Sequence, residues 1–456
     1  MTADRSHQPS PPARKSGPSA VLVAAALCAA ALCAAACGGP SGGSPSASTF
    51  GADSPWLGAF APVALPAPVN SLTDVACATA LRCWATGSTV GGAGAPNGAA
   101  VIATVNGGAT WSNQVVPAQV GYLSRIACSD QRHCTAVGQT TQTTAGQGLT
   151  IDTVDGGATW ALEPLPAGVL DVTAVACEPG RSCIAVGTTA GGATALASNP
   201  SHAGWTQLGA LPPGVSEARA ISCTSATDCW VTGSTTINTD TIAGVVALTT
   251  DGGSTWAMAT EPKGLGYLNG VSCIAGAPSG SGALPTTTVT AAAAAPAAAA
   301  TSSTPGSAPV GAPTTTTTTV APTTTTTSPA PTVGVAGVRC TVVGTTATGV
   351  NSTRSGRGVL LTSDNGGAAW TTQAVTPSSA SLSDVSCTAI DTCVAVGSTG
   401  RTSATAGLII LTGQAGDPWH GPAVVPSPQS LSAVSCVSLS ACVVVGESIS
   451  EHLVGG

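Results

Sequence analysis

The stretch from Leu123 to Trp160, LSRIACSDQRHCTAVGQTTQTTAGQGLTIDTVDGGATW, contains every part of a unit that recurs along this chain. It holds two cysteines with five residues between them, a strand that ends in Val-Gly and a polar loop. An apolar segment and a Gly-Gly turn before Trp160 complete the unit. A unit that recurs every 20 to 50 residues or so is typical of solenoids, propellers and other repeat folds. The repeat therefore decides the fold class.

Cysteine pairs with five intervening residues occur six times, and a seventh pair has the same flanking residues but is split by a long insertion. The first cysteines of successive pairs lie 46 to 51 residues apart, except for one step of 114 residues across the insertion. The seven pairs are Cys77 with Cys83, Cys128 with Cys134, Cys177 with Cys183, Cys223 with Cys229, Cys273 with Cys340, Cys387 with Cys393, and Cys436 with Cys442.

Tryptophan follows the same period, with an offset. Trp56 precedes the first cysteine pair, and no Trp follows the last pair. An N-terminal strand that completes the last repeat would close a ring and remove an exposed sheet edge. Without residues 1–54 and the insertion, 48 residues remain per repeat. We therefore predict an all-β fold, a seven-bladed β-propeller over residues 55–456 with four antiparallel strands per blade. A solenoid is the structural alternative.

Each cysteine pair is expected to form a disulfide, with the first strand ending at the first cysteine and the second strand starting at the second. Fourteen of the 17 cysteines fall into the seven regular pairs, and such even pairing in an exported chain implies disulfides. Residues that face each other across a hairpin lie about 5.5 Å apart at Cα, which suits a disulfide. Zinc is disfavoured because its usual spacings are shorter and His partners are missing. No metal and no cofactor are predicted.

The first 37 residues are typical of a targeting segment. A basic leader precedes an apolar, Ala-rich run, and Ala34-Ala35-Ala36-Cys37 resembles the end of a bacterial lipoprotein signal, with Ala34 where such signals usually have Leu. The resemblance implies lipidation of Cys37, a flexible tether over residues 38–54 and attachment to the outer face of the cytoplasmic membrane. Cleavage with free secretion and a retained transmembrane anchor are the alternatives. All three place the propeller outside the cytoplasm.

Composition narrows the range of partners. Charged residues make up 7% of the chain, and the net charge is −7. Without a basic patch, nucleic-acid binding is disfavoured. The Thr/Ala/Pro-rich insertion, residues 274–339, lies within the fifth blade and cannot bury a core, so we predict that it is disordered. It is either a mucin-like glycosylated tract or a tolerated insertion at a hairpin tip.

Four repeats share a turn motif of the form Thr-x-Asp-Gly-Gly-x-Thr-Trp. An Asp or Asn before Gly suits a tight turn with positive φ. The motif resembles the Asp-box, or BNR repeat, of sialidase-type propellers, and it is also similar to turns in photosystem II assembly-factor propellers and sortilin. The resemblance implies a structural role, on the face opposite the ligand site. The motif residues are Asn106, Trp111, Asp155, Trp160, Asp251, Trp256, Asn365 and Trp370.

The opposite face carries long polar loops between the second and third strands, where binding residues are expected. The resemblance to sialidases implies three Arg that bind a carboxylate, a Tyr nucleophile with an acidic partner, and an Asp acid/base. However, the Arg-Ile-Pro segment of that family is missing, and the two Tyr share one repeat position, which indicates packing. No catalytic residue is therefore assigned. Candidate residues of the ligand face are Tyr122, Arg125, Arg219, Tyr267, Arg354, Arg357 and Arg401, with Asp171, Glu217 and Asp240 as acidic candidates.

These observations favour an exported, lipid-anchored, monomeric propeller that acts as a non-catalytic binding or scaffold module at the cell envelope. Its ligand, a protein or a glycan, is not identified by the sequence. One alternative is a sialidase-like glycoside hydrolase. A second is an assembly or stability factor for a membrane protein complex. Fold alone does not choose among them.

Overall fold

The structure is a computed structural model, and a defined part of the chain is described. All described residues belong to one compact unit. Within the described part, no helix is long and apolar enough to cross a membrane. The described residues are 20–25, 61–91, 98–141, 147–179, 182–199, 204–238, 241–276, 334–347, 357–373, 375, 381–390, 392–399, 407–411, 419–425 and 430–447.

The described chain is all-β, and its strands fall into antiparallel sets of four. Sets 1 to 3 each take four consecutive strands. In chain order the strands begin with β1 (Ala20–Ala25) and β2 (Ala61–Ala64), followed by set 1, β3 (Val69–Cys77), β4 (Cys83–Thr89), β5 (Gly98–Thr104) and β6 (Ser112–Asn113); set 2, β7 (Val120–Cys128), β8 (Cys134–Thr140), β9 (Gly148–Thr153) and β10 (Ala161–Glu163); and set 3, β11 (Val169–Cys177), β12 (Cys183–Thr189), β13 (Gly192–Ser198) and β14 (Trp205–Ala210).

The remaining strands continue the pattern. They are set 4, β15 (Glu217–Cys223), β16 (Cys229–Asn238), β17 (Thr241–Thr249) and β18 (Ala257–Met258); set 5, β19 (Leu265–Ala275), β20 (Val338–Thr346), β21 (Gly358–Ser363) and β22 (Thr371–Gln373); set 6, β23 (Ser381–Ala389), β24 (Thr392–Ser398), β25 (Gly407–Leu411) and β26 (His420–Val425); and set 7, β27 (Ser430–Ser438) and β28 (Ala441–Glu447) together with β1 and β2.

Set 7 differs from the others because its outer two strands come from the N-terminal part of the chain. Its strand order is β27-β28-β1-β2, and Leu22 pairs with Val444 while Val21 pairs with Val63. Strand β1 lies inside the segment that the sequence predicts to be a signal. It occupies the edge of β28, because an unpaired edge is a template for pairing with another extended segment.

The first strand of each set packs against the first strand of the next. This holds from β3 through β7, β11, β15, β19 and β23 to β27, and β27 in turn contacts β3. A single backbone pair, Ser71 with Glu447, joins sets 1 and 7. Across the same junction the Cys77 amide donates a hydrogen bond to Ser435 Oγ at 3.0 Å. Four-stranded sheets arranged with their first strands together are the architecture of a β-propeller.

Buried aliphatic side chains between neighbouring sheets form the core. One cluster joins sets 1 and 2 through residues such as Val101 and Leu123, which are 1% and 0% exposed. The glycine that ends each Cys-x-x-x-Gly run is required by the backbone: a Cβ at Gly138 would collide with the Tyr122 carbonyl, and the other six repeats show the same close approach. The register shifts beside this point are β-bulges, which redirect the side chains before each first cysteine.

All seven predicted disulfides are present. Their Cα atoms lie 4.0 to 4.1 Å apart, closer than the spacing of about 5.5 Å that the sequence analysis used. The reason is the hairpin register. The hydrogen bond from the Ala78 amide to the Arg82 carbonyl lies one position further out, so Cys77 and Cys83 face each other as a narrow, non-hydrogen-bonded pair. Disulfides in every repeat indicate an oxidising compartment.

In the hairpins of sets 6 and 7, the second strand begins earlier than expected from the sequence. The sequence analysis started each second strand at the second cysteine, but β24 begins one residue before Cys393 and β28 one residue before Cys442. The cause is strand pairing that continues past the disulfide, from Ala389 to Thr392 in set 6 and from Ser438 to Ala441 in set 7.

The disulfides of these two hairpins are formed as predicted. Cys393 is bonded to Cys387 and Cys442 to Cys436, and Cys393 and Cys442 are 3% and 2% exposed. The boundary correction therefore leaves the cysteine pairing unchanged.

The split repeat also keeps its hairpin beyond the disulfide. Ala275 pairs with Val338, and the Gly276 amide donates to the Gly337 carbonyl at 3.0 Å. Strand pairing therefore extends two positions into the segment 274–339 that the sequence analysis assigned to the insertion. The insertion proper lies between residues 276 and 337, because its flanking residues are held by backbone pairs.

Candidate ligand-binding site

Each set has two opposite ends, which we name the staple end and the cavity end. The staple end of a set holds the disulfide and the turn between the third and fourth strands, which is a Gly-Gly turn in four of the sets. The two are linked by backbone hydrogen bonds, as from the Gly156 amide to the Arg132 carbonyl at 2.9 Å. The cavity end holds the start of the first strand and the loop after the second strand.

The Gly-Gly turn is organised by one acidic or amide side chain. In set 2, Asp155 Oδ1 accepts hydrogen bonds from Thr153 Oγ1 at 2.8 Å and from the Thr159 amide at 2.9 Å. Thr159 Oγ1 donates to Asp155 Oδ2 at 2.6 Å, and these bonds to Thr159 and Thr153 lower the pKa of Asp155 to about 2. The Gly157 amide donates to Thr153 Oγ1 at 2.8 Å. A charged acceptor thus satisfies a turn that requires positive φ.

The two hydrogen bonds that Oδ1 accepts recur in the other three motifs. Asp251 accepts from Thr249 and Thr255, and its pKa is likewise lowered to about 2 by hydrogen bonds from Thr255 and Thr249. Asn106 and Asn365 accept the equivalent bonds. The paired glycines of all four turns have φ between 61° and 93°.

Two tryptophans outside the periodic series tie neighbouring sets together at the staple end. Trp84 Nε1 donates to the Gly156 carbonyl at 3.2 Å, and Trp230 Nε1 donates to the Gly366 carbonyl at 3.0 Å. Both side chains are almost fully buried, at 1% and 0% exposure. The sequence analysis did not assign them a role. Their shared position, one residue after the second cysteine, is the signal that could have identified them.

At the cavity end, a polar cavity of about 440 Å³ lies where the first strands converge. One position supplies a lining residue from every set, four residues before the first cysteine. These residues are Thr73, Ser124, Thr173, Arg219, Asn269, Ser383 and Ser432. The sequence analysis named only Arg219 among them.

A second layer of the cavity comes from the position six residues before the first cysteine. Tyr122, Asp171 and Glu217 line the cavity from sets 2, 3 and 4, together with Gln139 from the second strand of set 2. Tyr122 is 49% exposed. Burial raises the pKa of the Asp171 carboxyl above its ordinary value, while a hydrogen bond from Gln139 lowers it.

Arg219 is held by three neighbours. Its Nη2 lies 3.0 Å from the Glu217 carboxylate, and its Nη1 donates to Asn269 Oδ1 at 3.4 Å. The guanidinium carbon lies 4.2 Å from the ring centroid of Tyr267, a cation–π contact. Tyr267, which the sequence analysis placed on the ligand face, is thus the packing partner of an arginine, as its repeated position had suggested.

Arg125 faces two carboxylates from sets that are distant in sequence. Burial alone would lower the pKa of its guanidinium. The nearby negative charges of Asp74 and Asp384 outweigh burial, and the pKa is raised above its ordinary value. Asp74 is 6% exposed and its pKa is raised, chiefly by burial, to about 7; burial also raises the pKa of Asp384. Arg125 Nη2 also donates to the Asn269 carbonyl at 3.4 Å.

The two carboxylates also hold the ring together. Asp74 Oδ2 accepts the Ile126 amide of set 2 at 2.7 Å, and Asp384 Oδ2 accepts the Val434 amide of set 7 at 3.0 Å. Gly270 lies against Asp384, and a Cβ there would meet its carboxylate at 3.0 Å. Asp74, Arg125 and Asp384 all occupy the same repeat position, three residues before the first cysteine.

Hydroxyl and amide groups of the cavity wall donate to the backbone. Thr73 Oγ1 donates to the Leu123 carbonyl at 2.9 Å, Ser124 Oγ to the Val172 carbonyl at 3.0 Å and Asn269 Nδ2 to the Leu382 carbonyl at 2.9 Å. In each case the acceptor belongs to the next set. The wall is therefore rigid, and its oxygen atoms keep lone pairs for a ligand.

The other sequence candidates lie elsewhere. Arg357 is exposed, its amide donates to Thr346 Oγ1 at 3.0 Å, and it does not line the cavity. Arg354, Arg401, Asp240 and Cys37 are outside the described residues. The structure thus brings together Tyr122, Arg125 and Arg219 at the cavity. In the part of the chain that is described, no group of three or more His, Cys, Asp or Glu could hold a metal ion.

Comparison with known proteins finds similarity only at the level of structure. No protein-family model and no curated protein matches the sequence. Similar solved structures include YCF48 bound to a D1 peptide (11% identity, 84% of this chain and 92% of that chain, TM-score 0.45). They also include the GH74 xyloglucanase from Xanthomonas campestris (14%, 78% and 49%, 0.45) and the Hadza microbial sialidase Hz136 (10%, 72% and 63%, 0.43). Similarities of this size carry no argument about ligand or activity.

Proposed function

We propose that this protein is an exported, non-catalytic binding module, a closed seven-bladed β-propeller whose ligand site is the cavity at the convergence of its first strands. The cavity carries this proposal, because every set contributes its residue from one repeat position. Pockets with a few convergent polar groups on a rigid scaffold are the usual form of a ligand site. The four Gly-Gly turns at the opposite end are, in this proposal, Asp-boxes with a structural role.

Closure of the ring is supported by contacts at the junction of sets 7 and 1. The first strands of these sets touch, and Ser435 accepts the Cys77 amide. The equivalent serines Ser222, Ser272 and Ser386 accept the first-cysteine amide of the following set at 3.0 to 3.1 Å. The junction of sets 7 and 1 thus uses the same bond as three junctions within the chain.

Export is proposed with lipidation of Cys37 as the anchor to the outer face of the cytoplasmic membrane. Seven disulfides agree with an oxidising compartment. Processing at Cys37 would remove β1 from the edge of β28, while β2 and the contacts of Ser435 stay on the mature chain. Mass analysis of the membrane-bound protein should find a diacylglycerol-modified Cys37 at its N-terminus, and the Cys37→Ser variant should lose the lipid.

Binding is favoured over sialidase chemistry by the state of the arginines. A sialidase-type site needs guanidinium groups that are available to a substrate carboxylate. Within the described residues that line the cavity, Arg219 is paired with Glu217, and Arg125 lies in the field of Asp74 and Asp384.

One observation favours glycoside hydrolysis as a second candidate. Asp171 and Glu217 line one cavity, and the Glu217 charge contributes to the raised pKa of Asp171. A pair of carboxyl groups is the general requirement of that chemistry. Hydrolysis is therefore measured beside binding.

The test uses the mature protein, purified from an oxidising host, on a panel of glycans and peptides. Both binding and hydrolysis of sialosides and other glycosides are measured. Binding without turnover is expected, and the Ser432→Trp substitution, which fills the cavity, should abolish it. Ser440→Trp, at the staple end of the same set, is the matched control and should bind normally. Turnover that Ser432→Trp abolishes would replace this proposal with the hydrolase, and binding that survives Ser432→Trp would place the site elsewhere.

A further inference from the structure

The charge balance of the cavity indicates which class of ligand it accepts. Four charged side chains line it, Arg125, Arg219, Asp171 and Glu217. Two more carboxyl groups, those of Asp74 and Asp384, lie close enough to Arg125 to raise its pKa. The two guanidinium groups and two carboxylates that line the cavity therefore balance in number, and the carboxyl groups of Asp74 and Asp384 lie outside the lining, beside Arg125.

The two arginines are already neutralised by this chain. Glu217 lies 3.0 Å from Arg219, whose flat face rests on Tyr267. Arg125 is balanced by Asp74 and Asp384 and bonds the Asn269 carbonyl. An anionic ligand would have to compete with these internal carboxylates for the two guanidinium groups.

Asp171, by contrast, has no cationic partner among the described residues. Its carboxylate accepts from the Gln139 side chain and the Val172 amide, and the charge of Glu217, which also acts on it, is negative. The side chain is half-buried in the cavity wall. A partly desolvated carboxylate in this position attracts a cation.

The rest of the wall is also better suited to a donor than to an acceptor. The protons of Ser124 and Thr173 are committed to backbone carbonyls, at 3.0 and 3.2 Å, so that the oxygens of these two cavity-lining residues can act only as acceptors. The ring of Tyr122, 49% exposed, lies in the same wall and offers a π face. Carboxylates, hydroxyl oxygens and an aromatic face together form the usual environment of a bound ammonium group.

We propose that the cavity binds an alkylammonium group, either the side chain of a lysine in a peptide or a free diamine, with Asp171 as its principal counter-ion and Tyr122 as its aromatic wall. This proposal rests on the function proposed above, because it specifies the ligand of the same cavity. The charge of the expected ligand is opposite to that of a sialidase substrate: a sialidase site would bind a carboxylate, whereas this cavity is proposed to bind a cation.

The test is calorimetric titration of the mature protein with five probes: the peptide acetyl-Gly-Lys-Gly-amide, its side-chain-acetylated form, acetyl-Gly-Glu-Gly-amide, cadaverine and N-acetylneuraminic acid. The lysine peptide or cadaverine should bind, and whichever binds more tightly distinguishes the two sources. Acetylation of the lysine should abolish binding, and the two acids should not bind. Asp171→Asn, which keeps an acceptor for Gln139, should weaken binding at least tenfold, and the effect of added salt should be smaller in that variant.

Asp228→Asn removes the same charge at the staple end, where Asp228 accepts from Ser225, and should leave the affinity unchanged. Failure of both amines to bind overturns the ammonium proposal. If N-acetylneuraminic acid or another panel ligand then binds in a manner sensitive to Ser432→Trp, the cavity keeps its binding function and only the ligand class is wrong. If amine binding is equal in wild type and Asp171→Asn, Asp171 is not the counter-ion and the proposal also fails.

Discussion

The staple end and the cavity end of each set differ in how closely the residue types repeat from set to set. At the staple end, the same residue types recur from set to set: a disulfide in all seven and a Gly-Gly turn centred on Asp or Asn in four. At the cavity end, one repeat position carries Thr, Ser, Arg and Asn in different sets. Residue types that repeat from set to set therefore belong to the structural scaffold, whereas the repeat position whose residue type varies lines the candidate ligand site.

The two ends also shift the pKa of carboxyl groups in opposite directions. Exposed Asp251 accepts hydrogen bonds from its own turn, and its pKa is lowered to about 2. Buried Asp74, beside the cavity, has a raised pKa because desolvation outweighs the attraction of Arg125. An acid that serves as a turn acceptor is thus stabilised as the anion, whereas an acid buried in the ring is held closer to its neutral form.

The largest expected effect concerns the disulfides of the staple end, because the loops that they close differ greatly in length. The two cysteines of the Cys273–Cys340 disulfide are 67 positions apart in the sequence, whereas those of Cys128–Cys134 are 6 positions apart. On the loop-entropy model, replacing both cysteines of the long loop by Ala should lower the free energy of unfolding by about 4.4 kcal/mol, against about 2.4 kcal/mol for the short loop. Urea denaturation of the two double variants measures both losses. Equal losses would show that native-state contacts, rather than loop length, determine the contribution of each disulfide.

A matched pair of Thr→Val substitutions compares the two ends directly. At the staple end, Thr249 donates to Asp251 and accepts from the Asp251 and Gly253 amides. Thr249→Val leaves a turn carboxylate and a buried amide short of partners, so a loss of about 2 to 3 kcal/mol is expected. At the cavity end, Thr173 donates one bond to the Val186 carbonyl, and Thr173→Val should cost about 1 kcal/mol.

Both values come from chemical denaturation of otherwise identical proteins. A loss for Thr173→Val as large as that for Thr249→Val would contradict the view that the turn is the more demanding structure.

The pH dependence of stability should have opposite signs at the two ends. The pKa of Asp74 is raised from 3.8 to about 7. The folded state therefore binds more protons between these values, and the free energy of unfolding falls as the pH rises through that window. Asp74→Asn keeps an acceptor for the Ile126 amide and should remove part of this slope, with a gain relative to wild type of roughly 1 kcal/mol at pH 7.

Asp251→Asn is the control at the staple end. Because the folded pKa of Asp251 is lowered from 3.8 to about 2, its contribution is present above pH 3.8 and is lost as the pH falls through 2. The difference between wild type and Asp251→Asn should shrink over that range. Thermal unfolding across a pH series measures both variants, and slopes of the same sign for the two would refute the comparison.

The smallest effect is expected for the insertion at the staple end of set 5. Replacing residues 278–331 by a short Gly/Ser linker keeps the Ala275–Val338 pair and the disulfide. Loop-closure entropy varies only with the logarithm of length, so the change should stay below about 1 kcal/mol, toward greater stability. Deleting 274–339 instead removes paired strand residues and should be clearly worse. If the two deletions behave alike, the extra strand pairs contribute nothing.

Particular residues show how far the sequence could be interpreted. The disulfide partners and the Gly-Gly turns follow from short spacings, because each is made by residues within one hairpin or one turn. The placement of Arg125 between Asp74 and Asp384 could not be predicted, because the three belong to three different sets. Trp84 and Trp230 were missed for the same reason: each bonds a carbonyl in the neighbouring set. Arg357 was placed on the ligand face by its loop, but the loop position did not bring it to the cavity.

The sequence by itself determined the repeating unit, its strands and its cysteine pairs, since these depend on local spacing and on a period that can be counted along the chain. Only the tertiary structure decided which side chains share the cavity and which charges are already paired there. The physical reason is that the first strands meet side by side, so that residues about 50 to 300 positions apart in the chain lie within hydrogen-bonding or electrostatic range of one another. The proximity of Asp171 to Glu217 of the next set follows from that convergence.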